Sequence, residues 1–568
     1  MKKLLALLLA LVMVFALAAC GQQPATPTAE PTGTPAVDEV PNPEPDWTAY
    51  NALIAEIKTT TDFAERVNLM HEAEDILMAS GAILPIYYYN DLFMMKSTVE
   101  GFYANAFGFK FFQYCTNGDS NTLKINLASE PDYLDPALNS SVDGACLAIM
   151  GFGGLYTYDA DGQLIPNFAE GYEMSEDGLT YTFTLKEGLK WSDGSDLTAN
   201  DFVYSWKRAA DPVTAADYSY MFNGIAGYED HDLQVSAPDD LTLVVNLIAP
   251  CAYFLDLAAF PTFYPVKQTE VEAAADWETN PGAWCQDVGF VSCGPYILES
   301  WVHEESMVYV KNPNWYDADN VTIERIEFML SSDDTAIFAA YNAGDLDFID
   351  TVPTDEIKNL KDNPEFHVID NLGTYYVSFN VKSDLFAGKT AEQANAMRLA
   401  FSELVDRQYI IDTVGQCEQE IATSFIPASM ADGNGGIFKD AAGWDYPVDD
   451  GYYGTEVDVD GAIALLKEAG YEFDDNGMLS ASNPIAFEYL TNDTSGHVAI
   501  AECIQQDLAA VGITMTIRSI DWATFLQERK AGNYDIARNG WLADFNDPIN
   551  MLEMWETSSG NNDCQFGR

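Results

Sequence analysis

Positive charge is scarce in this chain: 27 Lys and Arg stand against 89 Asp and Glu, a formal net charge of -62. A nucleic-acid partner, or electrostatic attachment to anionic lipid, needs a basic face that this composition does not supply. Histidine is nearly absent, with five scattered residues, and no CxxC or Cys/His cluster brings metal ligands together. A zinc site and a bound cofactor are therefore not expected. No HExxH, GxSxG or Cys/His constellation appears either, which leaves a secreted hydrolase built on paired carboxylates as a remote alternative to a non-enzymatic role.

Only one unbroken apolar run is prominent, Leu4 to Ala19. At sixteen residues it is short for a membrane span, and Lys2 and Lys3 precede it as the positive flank of a secretory signal. It ends Leu17-Ala18-Ala19-Cys20, which resembles a bacterial lipobox and implies a lipidated Cys20 at the mature N-terminus. Two or three acyl chains, each methylene contributing about 0.8 kcal/mol, would tether the protein without spanning the bilayer. Residues 20–45 are rich in Pro, Thr, Glu and Ala and poor in bulky apolar side chains, so they read as an extended tether. Eight further cysteines, among them Cys285 and Cys293 as the most plausible local loop, are compatible with disulfides or with eight free thiols.

The roughly 520 residues that follow exceed what one hydrophobic core usually serves and point to two lobes. Asp62 and Glu65 open a capping pattern, and Phe63, Val67, Met70 and Leu77 recur at helical spacing up to Ser80-Gly81. Ile485 to Leu490, Gly496 to Ala510 and Ile513 to Ile517 read as strand, helix, strand, the signature of a parallel pair with a crossover helix. Further strands are expected at Leu123 to Leu127, Tyr181 to Leu185, Leu241 to Leu247, Ile323 to Leu330 and Tyr376 to Asn380. Interleaved strands and helices give an α/β class.

Several blocks carry a specific resemblance. Asn126-Leu127-Ala128-Ser129-Glu130-Pro131-Asp132-Tyr133-Leu134-Asp135-Pro136, the run from Trp191-Ser192-Asp193-Gly194 to Ser205-Trp206-Lys207-Arg208, Lys311-Asn312-Pro313-Asn314-Trp315-Tyr316 and Gly540-Trp541-Leu542-Ala543-Asp544 are similar to segments of the extracytoplasmic oligopeptide-binding proteins of ABC importers, the family 5 solute-binding proteins. The resemblance implies a two-lobed, periplasmic-binding-protein-like fold of the large class, with an inserted subdomain and a hinge between the lobes. It also implies a peptide ligand, ABC permease partners, a monomer anchored to the membrane by lipid alone, and no chemical turnover. A signalling peptide, a nickel chelate or a sugar remains open as the ligand of the same fold.

In that family a helical hairpin and an Ile-Pro-Ile-Tyr-Tyr-Tyr-type strand follow the ligand segment. Here Trp47 to Tyr89 resembles them, at the front of the chain, so the order resembles a circular permutation with residues 46–101 completing the second lobe. The first lobe is then expected over 102–371 and the rest of the second over 372–568, with crossings near Gly373 and Lys96. The fold should bring Arg568 close to Trp47. By resemblance Asp544 meets the ligand α-ammonium, and Arg538 meets a ligand carboxylate or balances the cleft. Trp541, Trp522, Tyr376 and Tyr218 wall the channel. Phe152, in Met150-Gly151-Phe152-Gly153-Gly154-Leu155, stands where relatives often carry an acidic residue.

Overall fold

The computed structural model describes residues 41–568 apart from 128, 441–443 and 449–450. The signal segment, the lipidation site Cys20 and most of the tether lie outside the described residues. Two antiparallel helices lead: α1 (Thr48–Thr59) and α2 (Phe63–Ala79). The Asp62 carboxylate accepts hydrogen bonds from the Ala64 and Glu65 amides at 3.0 and 3.2 Å, satisfying donors that a helix start leaves open.

A ten-stranded mixed sheet organises the rest. Its strands are β1 (Ile83–Met95), β2 (Thr122–Asn126), β3 (Tyr296–Val302), β4 (Ser306–Lys311), β5 (Arg325–Met329), β6 (Phe348–Ile349), β7 (Phe366–Phe379), β8 (Ala486–Asn492), β9 (Thr514–Ile520) and β10 (Ile536–Leu542), in the spatial order β3-β4-β5-β2-β6-β1-β7-β10-β8-β9. The expected parallel unit is present: β8 and β9 pair in parallel, joined by a helix over Ser495–Ala509. A separate four-stranded antiparallel sheet contains Thr180–Leu185 and Thr242–Asn246.

The two long strands β1 and β7 form the centre, with five strands on one side and three on the other. Pro85 sits in β1 where the β1–β7 register shifts between Pro85 and Tyr87, one of the irregular positions in a sheet that accept a residue without an N–H. Strand β7 begins ten residues before the expected Tyr376. Its partly exposed first half is held by pairing with Asn90 to Met94 of β1, a partner far upstream that local pattern does not reveal.

The two ends of the described chain pack together. Phe566 stacks on Trp47 with ring centroids 3.7 Å apart, and Trp47 Nε1 donates to Trp555 O at 2.8 Å. Tyr50 Oη donates to Leu552 O, and Lys58 bridges Glu553 and Glu556 at 3.2 and 2.5 Å. The Arg66 guanidinium forms a buried fork on Asp547, at 2.8 and 2.7 Å. All eight described cysteines are free thiols; Cys285 and Cys293 do not pair, and their sulfurs face the carbonyls of Gly282 and Pro265. Among the described residues no helix is long and apolar enough to cross a membrane.

Candidate functional site

A cavity of ≈ 450 Å³ opens where β1, β7 and β10 meet the segments around residues 107–110, 139–143, 350–354 and 492–500. This volume lies in the range of small-ligand sites. Five of the expected residues line it: Asp544, Trp541, Arg538, Trp522 and Tyr218.

Asp544 is almost fully buried. Tyr218 Oη donates to its Oδ1 at 3.2 Å, and Asn550 Nδ2 donates to Oδ2 at 2.8 Å. Asn550 Oδ1 accepts in turn from the Asp544 amide and from Trp541 Nε1, both at 3.0 Å, so one side chain fixes carboxylate and indole together. Asn550 lies in the short helix Ile549–Glu553, six positions after Asp544. Burial pushes the Asp544 carboxyl up to about 7 against the opposing hydrogen bonds of Asn550 and Tyr218. No cationic side chain among the described residues pairs with Asp544.

Arg538 is the complementary case. Its guanidinium is buried, lies 5.3 Å from the Trp522 ring centroid and 5.8 Å from that of Tyr375, and donates to His497 Nε2 at 2.7 Å. His497 Nδ1 faces Tyr375 Oη at 3.2 Å, so a neutral ring protonated on Nδ1 satisfies both contacts. Burial, then Arg538, holds His497 well below the ordinary histidine range. Arg529 next to it pairs with Asp563 at 2.9 Å, whereas no carboxylate among the described residues pairs with Arg538.

Between these charges runs an open strand edge. β7 pairs with one side of β10 from Ile536 to Leu542; on the other side β8 pairs with it only at Ile536 and Ala537, and among the described residues no strand lies on that second side from Arg538 to Leu542. Gly540 within this stretch has a steric reason. A Cβ there would stand 2.1 Å from Tyr89 Oη, so any side chain would evict the tyrosine that β1 brings to the cavity.

Two expected residues are elsewhere. Tyr376 is fully buried on the packing side of β7, edge-on to Phe425 (5.1 Å) and Trp555 (6.0 Å). Alternation along the strand gives the shared face but not which face meets the cavity. Phe152 caps α3 (Val142–Gly151) and packs against Trp284 and Phe290, beside a second cavity of only ≈ 60 Å³. Asn550, His497 and Tyr89 were not singled out from sequence. Asn550, at a fixed offset from Asp544, is the one that inspection of the motif could have found.

Comparison with known proteins agrees with this geometry. The family model for bacterial extracellular solute-binding proteins, family 5 (middle), matches residues 163–563. The oligopeptide-binding protein OppA of Bacillus subtilis is 33% identical over 460 residues, covering 78% of this chain and 79% of the relative. The periplasmic oligopeptide-binding protein OppA of Salmonella typhimurium is 31% identical over 465 residues, covering 79% of each. Among solved structures, Listeria monocytogenes OppA bound to peptide superposes with a TM-score of 0.69 at 28% identity, covering 79% of this chain and 86% of that one. Haemophilus influenzae OppA in complex with RPPGFSPFR gives a TM-score of 0.67 at 28% identity, covering 79% and 85%. The chain belongs to the bacterial extracellular solute-binding proteins, family 5.

Proposed function

We propose that the chain is an extracytoplasmic receptor that captures oligopeptides in this cavity and delivers them, uncut, to the permease of an ABC importer. One observation carries the reading: the open edge of β10 is flanked by a buried carboxylate, Asp544, and a buried guanidinium, Arg538, neither of which has an ion-pair partner among the described residues. A peptide laid against that edge gains main-chain hydrogen bonds as an added strand, which makes affinity largely independent of side-chain identity. Its α-ammonium neutralises Asp544 and its carboxylate, or an acidic side chain, neutralises Arg538. Both pairings are charge-assisted and desolvated. The peptide-bound relatives support the ligand class.

In this reading Cys20 carries a lipid anchor on the outer face of the membrane, and the protein works as a monomer. Residues 46–101 act as a relocated part of the second lobe, a reading supported by β1 standing between β6 and β7 and by the Trp47–Phe566 stack. The strands on either side of β1 and β7 would then belong to different lobes, with the hinge in those two strands. Calorimetric titration with trialanine and with its N-acetylated form tests the core of this reading. Free trialanine should bind and the acetylated peptide should bind at least tenfold more weakly. Equal binding, or none, contradicts it.

A further inference from the structure

Six aspartates line the cavity against three cationic side chains, Lys110, Arg529 and Arg538. Three of the six are held apart from one another: Asp544 is described above, Asp334 accepts from Ser495 Oγ, and Asp493 accepts from Ser332 Oγ at 3.4 Å. The remaining three, Asp91, Asp143 and Asp350, gather around one ammonium. Lys110 Nζ lies 2.6 Å from Asp91 Oδ2 and 3.1 Å from Asp350 Oδ1, the latter at ion-pair distance without hydrogen-bond geometry. Asp143, at the start of α3, has neither an ion pair nor a side-chain hydrogen bond among the described residues.

The electrostatics follow from crowding. Burial works against the charge of Lys110, but Asp350 and Asp91 outweigh it and lift its pKa well above the ordinary lysine value. Burial likewise pushes the Asp143 carboxyl up to about 6, partly opposed by Lys110 and Arg538 and reinforced by Asp91. Asp350 is raised well above the usual carboxylate range by burial, with Asp91 and Asp143 adding repulsion. One lysine does not balance three carboxylates in a cavity of low polarity.

A second observation points the same way. The side chain of Asn371, more than nine-tenths buried, lines the same cavity, and its Oδ1 has no hydrogen-bond partner among the described residues. Asn371 stands beside this cluster: it follows Asp370, which pairs with Asn90 next to Asp91, and its amide is 3.5 Å from where a Cβ of Gly108 would sit. A buried amide without a partner costs on the order of 1–3 kcal/mol, which a ligand donor would relieve. No group of three or more His, Cys, Asp or Glu among the described residues is arranged to hold a metal ion.

We infer that Asp91, Asp143, Asp350 and Asn371 form a side-chain subsite of the peptide cavity that selects a cationic residue, lysine or arginine, of the bound peptide. The inference rests on the peptide reading above and adds a preference that main-chain pairing alone does not give. The incoming ammonium or guanidinium pairs with Asp143, relieves its repulsion with Asp91 and donates to the Asn371 amide oxygen. Lys110 stays with Asp91 and Asp350.

The test is calorimetric titration of the full mature chain with tetra-alanine and with tetra-alanine carrying lysine or norleucine at each position in turn. At one position lysine should bind about tenfold or more tighter than norleucine, the worth of one charge-assisted bond. In Asp143→Asn that lysine-to-norleucine ratio should shrink severalfold. Equal binding of lysine and norleucine peptides at every position, with tetra-alanine still bound, overturns the inference and leaves the peptide reading standing. A lysine preference undiminished in both Asp143→Asn and Asp91→Asn also overturns it. No binding of any peptide by a folded chain overturns both.

Discussion

Asp544→Asn should weaken ligand binding and at the same time relieve strain in the ligand-free protein. Burial raises the Asp544 carboxyl from its ordinary 3.8 to about 7. Keeping it ionised in the empty cavity therefore costs on the order of 4 kcal/mol at pH 8. The sign follows from linkage: a carboxyl with a raised folded pKa binds its proton more tightly when folded, so its stabilising contribution is full below about pH 4, fades as pH rises through 7, and is a net cost above. Asparagine cannot ionise and removes that cost, less whatever the amide loses in its contacts with Asn550 and Tyr218. Ligand-free Asp544→Asn should thus gain in Tm relative to the parent at pH 8, with the gain disappearing near pH 4. The same substitution removes the partner of the peptide ammonium, a loss of about 3 kcal/mol or more than a hundredfold in Kd. Thermal scans at the two pH values and calorimetry with trialanine measure both. A variant that binds trialanine as tightly as the parent, or whose relative Tm is lower at pH 8 than at pH 4, refutes the reasoning.

The parent protein should bind free-amino peptides roughly fifteenfold more weakly at pH 5.5 than at 7.5, because Asp544 takes up a proton through about pH 7 and this outweighs the partial loss of charge from the peptide α-ammonium at the higher pH; a flat profile in calorimetry contradicts this. Arg538→Gln should erase the advantage of a peptide carboxylate over its amide, read as a loss of about tenfold or more in that ratio. Trp47→Ala, which deletes a buried indole, its hydrogen bond to Trp555 O and its stack on Phe566, should cost about 3–5 kcal/mol in denaturant unfolding without altering peptide preference. Tyr376→Phe should leave binding unchanged and raise stability by about 1 kcal/mol or more, since the buried Tyr376 hydroxyl has no hydrogen-bond partner among the described residues and its removal lifts a desolvation cost.

Sequence carried the α/β class, the helix capped by Asp62 and the parallel unit around Ser495–Ala509, because each depends on periodicity or on a local cap. It carried five cavity residues through the segments that resemble the family, four of them clustered between Trp522 and Asp544. Tyr376 lies off the cavity for a local reason: strand periodicity groups residues by face without saying which face is open. Phe152 lies off the main cavity, and its contacts, Trp284 and Phe290, come from a segment more than a hundred residues away that local pattern does not reveal. The carboxylate cluster was invisible for the same reason. Asp91, Lys110, Asp143 and Asp350 come from β1, the following loops, α3 and the end of β6, and no one of these stretches has a pattern that marks it as a site.

Native mass spectrometry of the purified chain beginning at Gly21 tests the central claim most directly. The account predicts a monomer that carries adducts which fragment as short peptides, and that exchanges them for added trialanine. A monomer that is folded, empty and unable to take up peptide from an excess of trialanine or tetra-alanine would contradict it.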